Sequence, residues 1–111
     1  MIIVCPSLFK LFFNNNFNAI ALYPFIIIKK EALRHDQKLI RHEQIHLRQQ
    51  VELLVIFFYL WYLIEFLGRI LMSQSFEKAY RAISFEQEAY NNETDVSYLN
   101  KRPFWAHLNW I

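Results

Sequence analysis

From Gln37 to Leu67 the chain contains neither proline nor glycine, and no other feature limits its fold as much. A stretch without a breaker reads as one helix, opened by Asp36 as its cap and closed by Gly68. At 1.5 Å per residue a helix over Gln37–Arg69 reaches about 50 Å, long enough in so small a chain to invite a kink. The two halves differ in kind. The first is amphipathic, with Arg41, Arg48 and Glu52 on one face; in the second, every residue from Leu53 to Ile64 is apolar or aromatic.

The polar half carries His42-Glu43-Gln44-Ile45-His46. Residues four apart on a helix stand one turn above each other, so two imidazoles at 42 and 46 can grip one metal ion. Glu43, about 100° round the helix, can reach a water on that metal without being a ligand, which is what a zinc hydrolase needs. In a random chain with four His and eight Glu among 111 residues the pattern arises roughly once in a hundred sequences. The plainer alternative is an amphipathic helix whose solvated face carries these groups beside Arg41, Arg48, Gln49 and Gln50.

The chain has room for a single domain, residues 1–111, and one core. Its apolar fraction of 55%, with 11 Phe, six Tyr and three Trp, excludes a disordered chain. A net charge of +2, with basic residues spread evenly, makes nucleic acid an unexpected partner and leaves a weak attraction to anionic lipid. Cys5 is the only cysteine, so any metal rests on His and carboxylate, and Cys5 itself is expected as a small buried hydrophobe. Met1-Ile2-Ile3-Val4-Cys5-Pro6 lacks the positive leader of a secretory signal, so a cytoplasmic location is the default expectation.

Residues 1–23 read as a loose aromatic arm with a turn at Asn14-Asn15-Asn16. Pro24–Lys30 is the best strand, and its expected partner is Met1–Val4 or a carboxyl-terminal segment, giving a hairpin or two-stranded ribbon. The twelve apolar residues Leu53–Ile64 fall short of the roughly 20 that cross a bilayer. They must be covered by the arm, the last helix and the Trp-rich tail. Any surplus meets a second copy of the protein or a membrane surface, for which Tyr59, Trp61 and Tyr62 are suited. Ser73 or Ser75 opens the next helix, and Ser84-Phe85-Glu86-Gln87 has the form of a capping box that starts another, ending near Glu93. Beyond Val96, the residues Phe104, Trp105, Leu108, Trp110 and Ile111 read as a lid. The expected architecture is α+β and mainly α-helical, with a long motif helix, a second ligand helix and a short amino-terminal strand or hairpin.

Two His leave a catalytic zinc site one protein ligand short. His35, His107, Glu86 and Glu88 are the candidates, the two glutamates standing out because their helix can fold back beside the first. His42-Glu43-x-x-His46 followed by Glu86-x-Glu88-Ala89 resembles the gluzincin class of zinc metallopeptidases, in which a later helix reading Glu-x-x-Ala-Asp supplies the third ligand. That resemblance implies a zincin-like fold and Zn²⁺ on His42, His46 and Glu86. It places Tyr90 where the class has an Asp that orients a motif His, a task that then falls to Glu88, Glu93 or Tyr90. Nearly the whole chain is also similar to a group of short, uncharacterised bacterial proteins that share the strand, the motif followed by Leu47-Arg48-Gln49-Gln50, the aromatic helix and Phe85-Glu86-x-Glu88-Ala89-Tyr90.

The function implied is a zinc metallopeptidase acting on a peptide or protein substrate, with Glu43 as general base. The strand at Phe25–Lys29 would bind extended peptide by edge pairing. Tyr80, Tyr90 and His107 are unranked candidates for stabilising the oxyanion, and Gln49, seven residues after His42, is expected to line the cleft or hydrogen-bond a ligand. Two rivals stand beside this reading. One is a zinc-binding module without catalysis; the other is a metal-free helical protein that dimerises or lies on a membrane through residues 53–64.

Overall fold

A computed structural model describes residues 1–12, 17–72 and 75–111. The expected Asn14–Asn16 turn and the Ser73 cap lie outside the described residues. The fold is α+β and mainly helical with a small three-stranded sheet. Strand β1 (Ile2–Val4) leads into helix α1 (Pro6–Phe12), whose first position suits a proline because no N–H is needed there. Strands β2 (Ala19–Leu22) and β3 (Phe25–Ile28) follow. The best strand therefore has two partners: β3 is central, parallel to β1 and antiparallel to β2. Residues 1–23, expected as a loose arm, supply both edges of the sheet. Strands of three and four residues are too short to show an alternation in the sequence. One sheet face, Ala19, Ile26 and Ile28, packs on Leu33, Leu39, Ile40 and Leu47. Cys5 is half-buried with its thiol 3.7 Å from the Ser7 hydroxyl, not buried as expected.

Helix α2 (Gln37–Glu52) begins as the sequence predicts, with the Asp36 carboxylate accepting from the Leu39 N–H at 3.1 Å. It ends well before Gly68. Leu53–Val55 break the stretch, and helix α3 (Ile56–Met72) leaves at 112° to α2. Leu54 and Val55 take φ of 55° and 60°, a left-handed geometry that costs of order 1–2 kcal/mol per non-glycine residue and is least natural for β-branched Val55. Burial of Leu53 and Phe58 against Ile83 and Phe85 offsets that cost. The bend escapes the sequence because tertiary packing, and no glycine, pays for it. Gly68 lies exposed inside α3.

Ser75 caps α4 (Phe76–Ala82), accepting from the Lys78 N–H at 3.1 Å. The capping box expected for α5 (Ser84–Asn92) is replaced by a tertiary one. Ser84 is already inside the helix, and Glu65 of α3 accepts from its N–H at 2.9 Å and from its hydroxyl, while Gln87 donates to the Ala82 carbonyl. A carboxylate at a helix N-terminus also suits the dipole. After α6 (Tyr98–Lys101) and a 3₁₀ turn at Ala106–Trp110, the tail closes on α5. Only part of the expected lid packs inward: Ala106 and His107 are buried and Trp105 is half-buried, while Phe104, Leu108 and Ile111 are exposed.

Candidate metal centre

Helices α2 and α5 lie side by side, and three of their side chains converge. His42 Nε2 and His46 Nε2 are 3.2 Å apart, and Glu86 Oε1 is 3.2 Å from the first and 3.1 Å from the second. Ligands about 2.0–2.1 Å from a tetrahedral zinc are about 3.3 Å from each other. The triangle thus has the size of one face of a zinc tetrahedron. All three side chains are buried.

Protons decide what the triangle can hold. His42 Nδ1 is 2.6 Å from Glu93 Oε2, an acceptor, so Nδ1 carries the hydrogen. His46 Nδ1 is 2.8 Å from Gln49 Oε1, and the Gln49 amide is itself oriented, its Nε2 donating to the Phe85 carbonyl at 3.1 Å and to Glu88 at 2.9 Å. Whenever these rings are neutral, each therefore turns a bare Nε2 inward. Tyr62 donates to the other Glu86 oxygen at 2.8 Å, leaving Oε1 aimed at the imidazoles. Three acceptors then face one another, and either a metal ion between them or a proton on His46 Nε2 donated to Glu86 relieves that. Burial alone would lower the His46 pKa, yet the Glu86 carboxylate beside it raises it to about 9. Burial likewise works against ionised Glu86, and the two imidazoles still hold it well below the usual carboxylate range. The donor set, two imidazole nitrogens and one carboxylate oxygen, fits zinc with a fourth position left over.

Behind the triangle the contacts continue. Glu93 is held by Lys38 at 3.5 Å, and Arg41 donates to its carbonyl at 2.7 Å. Glu88 accepts from Tyr98 at 2.7 Å and from Arg102 at 2.5 Å, and Arg102 reaches on to Glu52 at 2.6 and 2.9 Å. Partners of this kind typically carry 10–100-fold in metal affinity. Glu93→Ala is accordingly expected to weaken zinc binding by about 10–100-fold with the fold retained, as read by chelator competition. An unchanged affinity would mean that the Glu93 contact does not orient His42.

The other sequence-selected residues are scattered around this centre. Glu43 is buried and lines, with His46 and Glu86, a mostly apolar cavity of about 290 Å³. Burial raises its pKa, with His46 and His42 pulling the other way. Tyr80 lines the same cavity and hydrogen-bonds Tyr90. Tyr90 sets its ring edge-on against His42, 4.5 Å between centroids, beneath the Arg81 guanidinium. Gln49 touches His46 and not His42, because the seven-residue spacing matters less than the three-residue one. Glu88 lies one residue further out, behind Gln49. His107 is elsewhere, boxed by Phe85 and Trp61, with neither ring nitrogen hydrogen-bonded among the described residues and its pKa lowered by burial. His35 is exposed.

The strand expected beside the cleft, β3, is paired on both edges and takes no further strand. It is β2 that lines the cavity, through Ala19, Ile20 and Ala21. Part of the β2 edge is already engaged: Gln50 Nε2 and the Tyr59 hydroxyl both donate to the Ala21 carbonyl at 3.0 Å, and Tyr23 N–H donates to Gln50 Oε1 at 2.8 Å. Sequence reasoning missed Tyr62, Glu65 and Arg102. Arg102, set with Lys101 among Tyr98, Phe104 and Trp105, was the one signal within reach: a guanidinium in an aromatic tail calls for a buried anion.

Comparison with protein-family models, with curated proteins and with solved structures finds no match to this chain.

Proposed function

We propose that this protein is a zinc-dependent hydrolase of peptide bonds, with zinc held by His42, His46 and Glu86. The observation that carries the reading is the triangle itself, with both Nε2 lone pairs turned inward beside an enclosed carboxylate and a cavity. The gluzincin resemblance of the two ligand segments supports it. Zinc, when bound, supplies a water of lowered pKa and a Lewis acid for the scissile carbonyl.

Glu43 takes the proton from the attacking water and passes it to the leaving amine; its burial strengthens it as a base. For the donor to the developing oxyanion we favour Tyr80, which lines the cavity, over Tyr90 and His107, which do not. Phe17, Phe58, Phe66 and Phe76 give the cavity an apolar lining, which suits an apolar substrate side chain. The edge of β2 at Ala19 is the place for extended backbone to pair. A structural zinc site is closed by four protein ligands, whereas three converge here among the described residues and a cavity adjoins them, which favours catalysis over the purely structural role.

The test uses zinc-loaded protein on an unfolded protein substrate. Glu43→Gln is expected to slow hydrolysis by about 10²–10⁴-fold while zinc content stays unchanged. Equal activity in the two, or none in the wild type with zinc in place, leaves the non-catalytic module as the reading.

A further inference from the structure

The outer face of α3 is left uncovered by the described residues over its whole length. Placed at 100° per residue, its exposed side chains between Phe57 and Leu71 sweep an arc of roughly 160°, from Tyr59 to Phe57 through Ile70, Leu63, Leu67, Leu60 and Ile64. Leu60, Leu63, Ile64 and Leu67 are 51–62% exposed, and Leu71 near the end is 87% exposed. A contiguous array of exposed apolar side chains of this kind marks an interaction or membrane surface. From this face we infer that the protein docks on a lipid surface through α3, lying in the interface without crossing it.

Three observations select lipid as the occupant. The first is the width of the arc. A two-fold pairing of α3 helices covers a seam narrower than about 160° and leaves both flanks wet, whereas a bilayer surface covers half a cylinder at once. The second is charge. The one acidic residue of α3, Glu65, is turned inward onto Ser84, and Arg69 falls on the side of the helix away from the arc, so the arc carries no charge and can sit below the headgroups. The third is length and commitment. No single helix among the described residues is long and apolar enough to cross a membrane, and the inner side of α3 is spent on the core through Phe58, Trp61 and Tyr62.

The same face borders the cavity. Tyr59 and Phe76 line it and are also 37% and 56% exposed, so its rim is continuous with the apolar surface. On the hydrolase reading, which this consequence rests on, substrate reaches the metal from the lipid side, as an apolar peptide segment lying at the membrane surface.

The docking itself is tested without any activity. Zinc-loaded protein is floated with vesicles of mixed phosphatidylcholine and phosphatidylglycerol, alongside a Leu60→Glu, Leu67→Glu double variant. Most of the wild type is expected to rise with the vesicles, and the double variant's partition coefficient to fall at least about 100-fold. Both positions are solvent-exposed, and circular dichroism together with unchanged zinc content shows that the variant is folded. Wild type that stays down as a dimer, split by the double variant in light scattering, overturns the proposal in favour of a second copy. Wild type that stays down as a monomer overturns it outright. Zinc content in the same samples reports on the metal reading separately, so the two can fail independently.

Discussion

His46→Ala and Glu86→Ala are each expected to leave the purified chain without zinc after dialysis, where the wild type retains it. Structural zinc binding is worth about 10–16 kcal/mol spread over its ligands, so losing one ligand removes roughly 3 kcal/mol and weakens binding by about 10²–10³-fold. The loss is larger than that of one bond suggests. In Glu86→Ala, Tyr62 loses its acceptor and two bare imidazole nitrogens remain 3.2 Å apart, an arrangement that relaxes by protonation of a ring. In His46→Ala, the Gln49 amide, fixed by Phe85 and Glu88, is left presenting an acceptor with no donor. Elemental analysis of both variants checks this. Retention of zinc by either would place the metal on other groups.

Arg102→Ala is expected to destabilise the fold by about 3–5 kcal/mol, because it strands two carboxylates in the interior. The Arg102 side chain is 2% exposed, and its partners Glu52 and Glu88 are 7% and 0% exposed. Glu52 also accepts from the Trp105 N–H at 2.9 Å, so the substitution removes one of two links between the tail and the motif helix. Against a total of about 5–15 kcal/mol for a domain of this size, such a loss lowers the melting temperature by roughly 15–30 °C. Adding Glu52→Gln and Glu88→Gln to the variant removes the stranded charges and is expected to recover much of the loss, since neutral amides cost far less to bury. Thermal and guanidinium unfolding measure both steps. A change below about 1 kcal/mol in the single variant would mean that water solvates the two glutamates.

What was legible in the sequence follows the range of the interaction. The motif helix and its Asp36 cap are local, and they stand where the pattern puts them. The choice of Glu86 over Glu88 came from resemblance, and the structure sets Glu86 against both imidazoles and Glu88 behind Gln49. Tyr62 was invisible because α3 is apolar on every side, so the stripe Phe58–Tyr62–Phe66 that faces inward had no contrast with the rest. The bend at Leu54 and Val55 was invisible for another reason. Its signal lies in the burial of Leu53 and Phe58, tens of residues from their partners Ile83 and Phe85. Glu93 was among three candidates for orienting His42, and sequence spacing did not rank it above Tyr90, which meets the same ring edge-on.

The most direct measurement is zinc content and coordination of the wild-type chain, by elemental analysis and X-ray absorption after reconstitution at neutral pH. About one zinc per chain, with two imidazole nitrogens and one carboxylate oxygen at about 2.0–2.2 Å, is the result that His42, His46 and Glu86 demand. A chain that takes up no zinc, or holds it through a different set of ligands, would contradict the account at its centre.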